Sequence, residues 1–220
     1  MSELSYRRAT IEDIALVTAA VVDAERSGTP RSLHERVFDL GQGELEALVD
    51  AMLREEVPGS ELCCESFLLA VDGGEPVGAI ATWIEEEDGP PSSFVRATLL
   101  GHAVGAERWA AARAKLAPLA AIDIPREPGT LQIEAVYVPA AHRGRRVVPR
   151  LIEHALGAYA ASHPGVRKAQ IQSALGNEPS RRAFLHAGFS IARETRTDRP
   201  EILAVFPGTG RILWERALPC

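Results

Sequence analysis

The chain has 220 residues, 46% of them hydrophobic and 25% charged, with a formal net charge of −6. That balance supplies one sizeable core and excludes a disordered polyelectrolyte. The acidic excess also argues against sequence-independent DNA binding, which needs surplus Lys and Arg, while leaving room for a phosphorylated cofactor held by a few local donors.

In chain order, residues 4–8 read as a short strand. Thr10 then caps a helix whose apolar positions Ile11, Ile14, Val17 and Val21 fall at helical spacing, with Asp13 three residues after the cap. The Ser27-Gly28-Thr29-Pro30 cluster ends it. Helical periodicity returns over 33–40 and 43–56. Residues 67–71 form a compact apolar run, Asp72-Gly73-Gly74 a hairpin turn, and 77–84 the partner strand. Residues 85–91 predict an exposed loop, and 103–121 an alanine-rich helix closed by a proline-containing segment to 129. A strand over 131–138 stops at Pro139. An amphipathic helix over 147–162, a strand over 166–173, a short helix over 179–186 and a strand over 189–194 follow. The tail segments 202–206 and 211–216 read as hairpin-like strands. Alternating helices and strands with closing strands predict an α/β or α+β domain around a mixed sheet.

Cys63, Cys64 and Cys220 are an odd, sparse set without disulfide-framework or zinc spacing, so no metal is expected. The N-terminus lacks the apolar stretch of a signal peptide, and no apolar run approaches the roughly 20 residues of a spanning helix. The expectation is a soluble, cytoplasmic protein with no membrane or nucleic-acid partner.

The chemistry-bearing stretch is Val136-Tyr137-Val138-Pro139-Ala140-Ala141-His142-Arg143-Gly144-Arg145-Arg146-Val147-Val148-Pro149. It is a strand, a sharp turn and a helix start. Free N–H groups and the helix dipole favour an anion there, and three arginines add charge-assisted donors. The plainer alternative is a solvated basic turn. Further on, Asn177 heads a short helix containing Phe184, which Gly188-Phe189 terminates.

Taken in order, these segments resemble the GNAT superfamily of acyl-CoA-dependent N-acetyltransferases. Arg8-Ala9-Thr10 to Asp13 is similar to the family's first strand and helix. Residues 67–71 and Val77-Gly78-Ala79 are similar to its central hairpin, Val138-Pro139 with Arg143-Gly144 to its cofactor motif, and Asn177, Phe184 and Gly188-Phe189 to its last helix and strand entry. The resemblance implies one domain over 1–220 with a helical insertion at about 85–129. Its fold would be a mixed, twisted, mostly antiparallel sheet with splayed central strands and helices on both faces. It implies acetyl-CoA as acyl donor, with pantetheine along the backbone of Val136, Tyr137 and Val138. The pyrophosphate would sit on the turn Arg143, Gly144, Arg145, Arg146, Val147 and Val148, and Asn177 and Phe184 would lie beside the cofactor. The acceptor would be a primary amine of a small molecule or peptide attacking directly in a ternary complex, and a homodimer is the assembly implied by analogy.

Two positions depart from the family pattern. The glycine places of the cofactor loop fall on Arg146 and Val148, and a tyrosine that protonates the leaving thiolate in many members is Phe184 here. These departures keep open a non-catalytic acyl-CoA-binding or protein-interaction module. For the general base, Glu134 is the candidate; alternation places it on one strand face with Val136 and Val138. The alternative is a rim carboxylate.

Overall fold

The computed structural model describes residues 4–41 and 43–219, so the reading at Cys220 lies outside the described residues. β1 (Ser5–Arg8) leads into a capping box in which the Thr10 N–H donates to the Asp13 carboxylate at 2.9 Å. This satisfies donors that the first helical turn leaves open and launches α1 (Ile14–Arg26). Next come α2 (Leu33–Val37) and α3 (Glu44–Leu53), which bury Val37, Leu45, Val49 and Met52. β2 (Phe67–Asp72) is buried along nearly its whole length. Gly73 and Gly74 both have positive φ, 60° and 92°, which lets a two-residue turn return the chain directly into β3 (Glu75–Ile84).

Residues 86–91 form the expected exposed loop, but the residue before them and the helix that follows differ from expectation. Glu85 is buried rather than part of an exposed loop. Its carboxylate accepts from Trp83 Nε1 at 3.0 Å, and from the Ser92 N–H and hydroxyl at 2.9 and 3.1 Å. That cap starts a helix well before residue 103. The helical region is α4 (Ser92–Val104) and α5 (Ala106–Leu116), broken at Gly105, with a 3-10 stretch to Ile122. Then follow β4 (Leu131–Tyr137), α6 (Val147–Ser162), β5 (Lys168–Ala174), α7 (Glu178–His186) and β6 (Ser190–Arg196). Residues 202–206 do not form a strand. Pro200 opens the short α8 (Pro200–Leu203), and Ile202 and Phe206 pack with Ile122 and Ala174. β7 (Gly210–Ala217) closes the chain.

In the described residues the sheet has seven strands in the order β1-β2-β3-β4-β5-β7-β6, antiparallel except between β4 and β5. One face packs on α1 and α3 through Val17, Val21, Leu45, Val49, Phe67 and Leu69. The other packs on α6 and α7 through Ile80, Ile133, Leu151, Ile152, Phe184 and Trp214. The expected mixed sheet with helices on both faces is therefore present. No helix of the described residues is long and apolar enough to cross a membrane.

Two irregularities shape the centre. β4 and β5 pair only at Leu131–Ala169 and Gln132–Gln170, then part. The buried Gln132 and Gln170 side chains join at 3.0 Å at the point of divergence. On the other edge of β4, Ala79 faces Tyr137 while Ala81 faces Glu134, so β4 carries one extra residue. Ala135 absorbs it at φ 47°, a β-bulge.

Candidate active site

The bulge corrects the expected alternation. Ala135 and Tyr137 belong to the apolar cluster under α1, whereas Val136 and Val138 pack on the α6 side. Glu134 turns towards Glu61, Arg96 and Arg126, away from Val136 and Val138. One inserted residue reverses the sense of everything after it, because strand side chains alternate with a period of two.

Between the diverging strands lies a cleft of about 590 Å³. Glu134, Val136, Val138, Arg143, Gly144, Val148, Asn177 and Phe184 all line it, with Asp23, Ala24, Ser27 and Gly28 from the end of α1. Asn177 caps α7, accepting from the Ser180 N–H at 3.2 Å. Phe184 is buried edge-on to Trp214, with ring centroids 5.9 Å apart. Arg143 Nε donates to the Val138 carbonyl at 3.1 Å, tying the turn to the strand end.

Four other sequence candidates keep their side chains out of the cleft. Tyr137 packs against the α1 cluster. Arg145 ion-pairs with Asp72 and contacts His142 Nδ1 at 3.2 Å. Arg146, at φ 58°, lies with Tyr6, Pro149 and His154 on another surface. Val147 is core, its Cγ1 only 2.6 Å from where a Cβ on Gly78 would stand. What these residues can offer the cleft is backbone. The first N–H groups of α6 lack helical partners, and the helix dipole adds positive potential there. An apolar length bounded by Val136, Val138 and Phe184, with donors at one end, suits an extended ligand that ends in phosphates.

Adjoining the cleft is a second, smaller cavity of about 100 Å³. Its walls carry Glu25, Glu61, Glu134, Arg96, Arg126 and Arg211. Glu25 accepts from Arg96 at 2.7 Å and pairs with His34 at 2.8 Å. Arg96 also pairs with Glu61, and Arg126 Nη2 donates to Glu134 at 3.0 Å. Burial pushes the Glu134 carboxyl above its ordinary pKa and Glu61 adds to the rise, which Arg126 and Arg96 offset only in part. A carboxylate more basic than usual, facing a cleft, has the character of a proton acceptor. Cys64 does not have the character of a nucleophile: burial pushes its thiol up to about 11, and it donates to the Thr10 carbonyl.

Sequence reasoning named Glu134 as a candidate but none of the charged residues that line the small cavity with it. Glu25 had a readable signal, since it stands one turn after Val21 on the inward stripe of α1. Arg96, Arg126, Glu61 and Arg211 come from four separate segments, and only the tertiary fold gathers them. Among the described residues, no group of three His, Cys, Asp or Glu side chains is placed to hold a metal ion.

The profile of the acetyltransferase (GNAT) family matches residues 35–189. No curated protein sequence matches the chain. Among solved structures, an N-acetyltransferase from Staphylococcus aureus Mu50 is similar with a TM-score of 0.61 at 14% identity, covering 97% of this chain and 99% of its own. yncA from Salmonella typhimurium, solved with its cofactor acetyl-CoA, is similar with a TM-score of 0.52 at 16% identity, covering 100% and 96%. The aminoglycoside acetyltransferase AAC(6')-Ib, solved with coenzyme A and kanamycin, has a TM-score of 0.51 at 16% identity, covering 98% and 95%. At these identities the likeness is one of fold.

Proposed function

The chain belongs to the acetyltransferase (GNAT) family, and from that premise we propose that it transfers an acetyl group from acetyl-CoA to a primary amine of a small molecule or peptide, by direct attack in a ternary complex. One observation carries the reading: Glu134 lines both the large cleft and the small charged cavity, so a single basic carboxylate stands between a donor channel and an acceptor chamber.

The unpaired backbone of β4 past Gln132 offers a pantetheine arm the edge that an added strand would use. Val136, Val138 and Phe184 supply its apolar contacts, and the start of α6 with Arg143 suits the phosphates. Relatives solved with acetyl-CoA or coenzyme A support this seat. Bound there, acetyl-CoA supplies an activated acyl carbonyl and a thiolate leaving group. The N–H groups of β4 beyond the bulge polarise that carbonyl oxygen. Glu134 takes the proton that the amine sheds, directly or through one water. Phe184 has no proton to give, so this chain supplies no acid from that position. In this reading the whole chain is one acetyltransferase domain, and α4 and α5 wall the acceptor side. A cytoplasmic setting and a homodimer go with it.

A second reading, donor binding without transfer, is favoured by Phe184, which has no proton for the leaving thiolate. The two separate in one experiment. Acetyl-CoA titrated against thermal stability should raise the melting temperature, and thiol release with a panel of amines should follow. Binding without release supports the second reading, and no stabilisation at millimolar acetyl-CoA overturns both.

A further inference from the structure

The pairing in the small cavity is uneven. Glu25 is taken by Arg96 and His34, Glu61 by Arg96, and Glu134 by Arg126. Among the described residues Arg211 makes no side-chain hydrogen bond and no ion pair. Its Nε is closed off from solvent without an acceptor, as are those of Arg96 and Arg126. The Phe206 ring lies 4.7 Å from the Arg211 guanidinium carbon and fixes the fork beside the cavity. Asp123 is the acid that acts on it most, from beyond pairing distance. Burial lowers the Arg211 pKa, yet a guanidinium stays charged at neutral pH. Arg211 is half-buried, and a guanidinium withdrawn from much of its solvent with no partner is costly unless something anionic completes it.

We propose that Arg211 receives a carboxylate of the acceptor, so that the substrate is a small amino-carboxylic acid of the amino-acid class, its amine towards Glu134. The inference rests on the acetyl-transfer reading above. Size agrees with it. A cavity of about 100 Å³ has room for a carboxylate and the carbon that bears the amine. The remainder of the acceptor extends past Ala24 and Ser27, which line both cavities. Charge agrees locally: the three glutamates of the cavity are engaged by His34, Arg96 and Arg126, so the group left for an incoming partner is the Arg211 guanidinium, which a carboxylate neutralises and an ammonium does not. In the transfer, the amine nitrogen bonds to the acetyl carbon as the carbon–sulfur bond breaks. The bonding pair leaves with sulfur, the amine proton passes to Glu134, and the carboxylate is unchanged.

The test is calorimetric titration of the twenty amino acids and their primary amides into the full chain, as wild type, R211Q and R211K, with cooperative melting as the check on folding. At least one acid should bind about 10- to 100-fold tighter than its amide, the range of a charge-assisted pair. R211Q should bring that ratio near one, and R211K, which keeps the charge without the fork, should retain part of it. Amides that bind as well as acids, no acid binding, or an unchanged ratio in R211Q would overturn the assignment; the wild-type ratio alone decides if R211Q does not fold. Acetyl-CoA titration and thiol release separate the two claims. Amines acetylated without preference for a carboxylate leave transfer standing and remove the role of Arg211. Carboxylates bound through Arg211 in a chain that ignores acetyl-CoA do the reverse.

Discussion

Arg126 Nη2 donates to Glu134 Oε1 across 3.0 Å, and the same guanidinium lies 5.4 Å from the centre of the Trp83 ring. Trp83 is held in turn by Glu85, the residue that caps α4. The side chain read here as the base is therefore oriented by a relay that starts at the end of β3. Such support preorganises a carboxylate and also limits how basic it becomes.

Glu134→Gln should lower kcat by about 10²-fold or more while leaving the thermal shift with acetyl-CoA in place. A base must be ionised to work, so wild-type kcat/KM should fall as pH drops through the raised Glu134 pKa. Thiol release followed from pH 4.5 to 8 measures both effects. An acid limb that persists in the glutamine variant would remove Glu134 from this role.

Glu25 makes a different prediction, one of stability. Burial works against its ionised form, but His34 and Arg96 outweigh burial and hold its carboxyl at about 2 against an ordinary 4.5. A depressed carboxyl contributes stability that is complete above the ordinary value and is lost as pH falls towards the folded one. Glu25→Gln should cost about 3 kcal/mol at pH 7, because the buried His34 loses its carboxylate and Arg96 keeps only Glu61. It should also flatten the loss of stability between pH 4.5 and 2, which urea melts across that window would read.

At Arg146 a bulky residue occupies the left-handed region, with φ 58°. That costs about 1–2 kcal/mol in an L-residue, and the added chain entropy of glycine returns about 0.5–1 kcal/mol of it. Arg146→Gly should therefore raise the melting temperature by about 2 °C. Because its side chain faces away from the cleft, the KM for acetyl-CoA should stay within about twofold. Calorimetric melting and steady-state kinetics check the pair.

Gly78 holds α6 close to β3. A Cβ there would stand 2.6 Å from Val147 Cγ1 and 3.2 Å from Leu151 Cδ1. Gly78→Ala should cost about 1–3 kcal/mol and raise the KM for acetyl-CoA by shifting the start of α6. Adding Val147→Ala should recover part of both, and a double-mutant cycle by denaturant melts would show the coupling.

Phe184→Tyr introduces an acid beside the proposed donor seat. If departure of sulfur limits the wild type, kcat should rise by up to about 10²-fold. An unchanged kcat with normal folding would mean that another step sets the rate.

Much of the fold was legible because it is local. The Thr10–Asp13 box, the Gly73-Gly74 turn and the apolar stripe of α6 are written in neighbouring residues, and each formed where expected. The cleft was legible in outline, since Val138, Arg143, Asn177 and Phe184 sit at its edges. What stayed hidden is non-local. The start of α4 depends on Glu85, seven residues earlier and buried by tertiary packing. The bulge at Ala135 leaves no mark in composition, and Arg211 comes to line the same cavity as Glu134 only through the register of β5 with β7.

Ala135 carries one more consequence, for how such a chain can vary. Loss of that single codon would spare every functional side chain yet transpose the lining of the strand. Either the acid or the valines would change sides, and the ring of Tyr137 would swing with them. The spacing between Glu134 and Val136 is thus as strictly constrained as either residue's identity, and insertions or deletions there should be tolerated far less than substitutions.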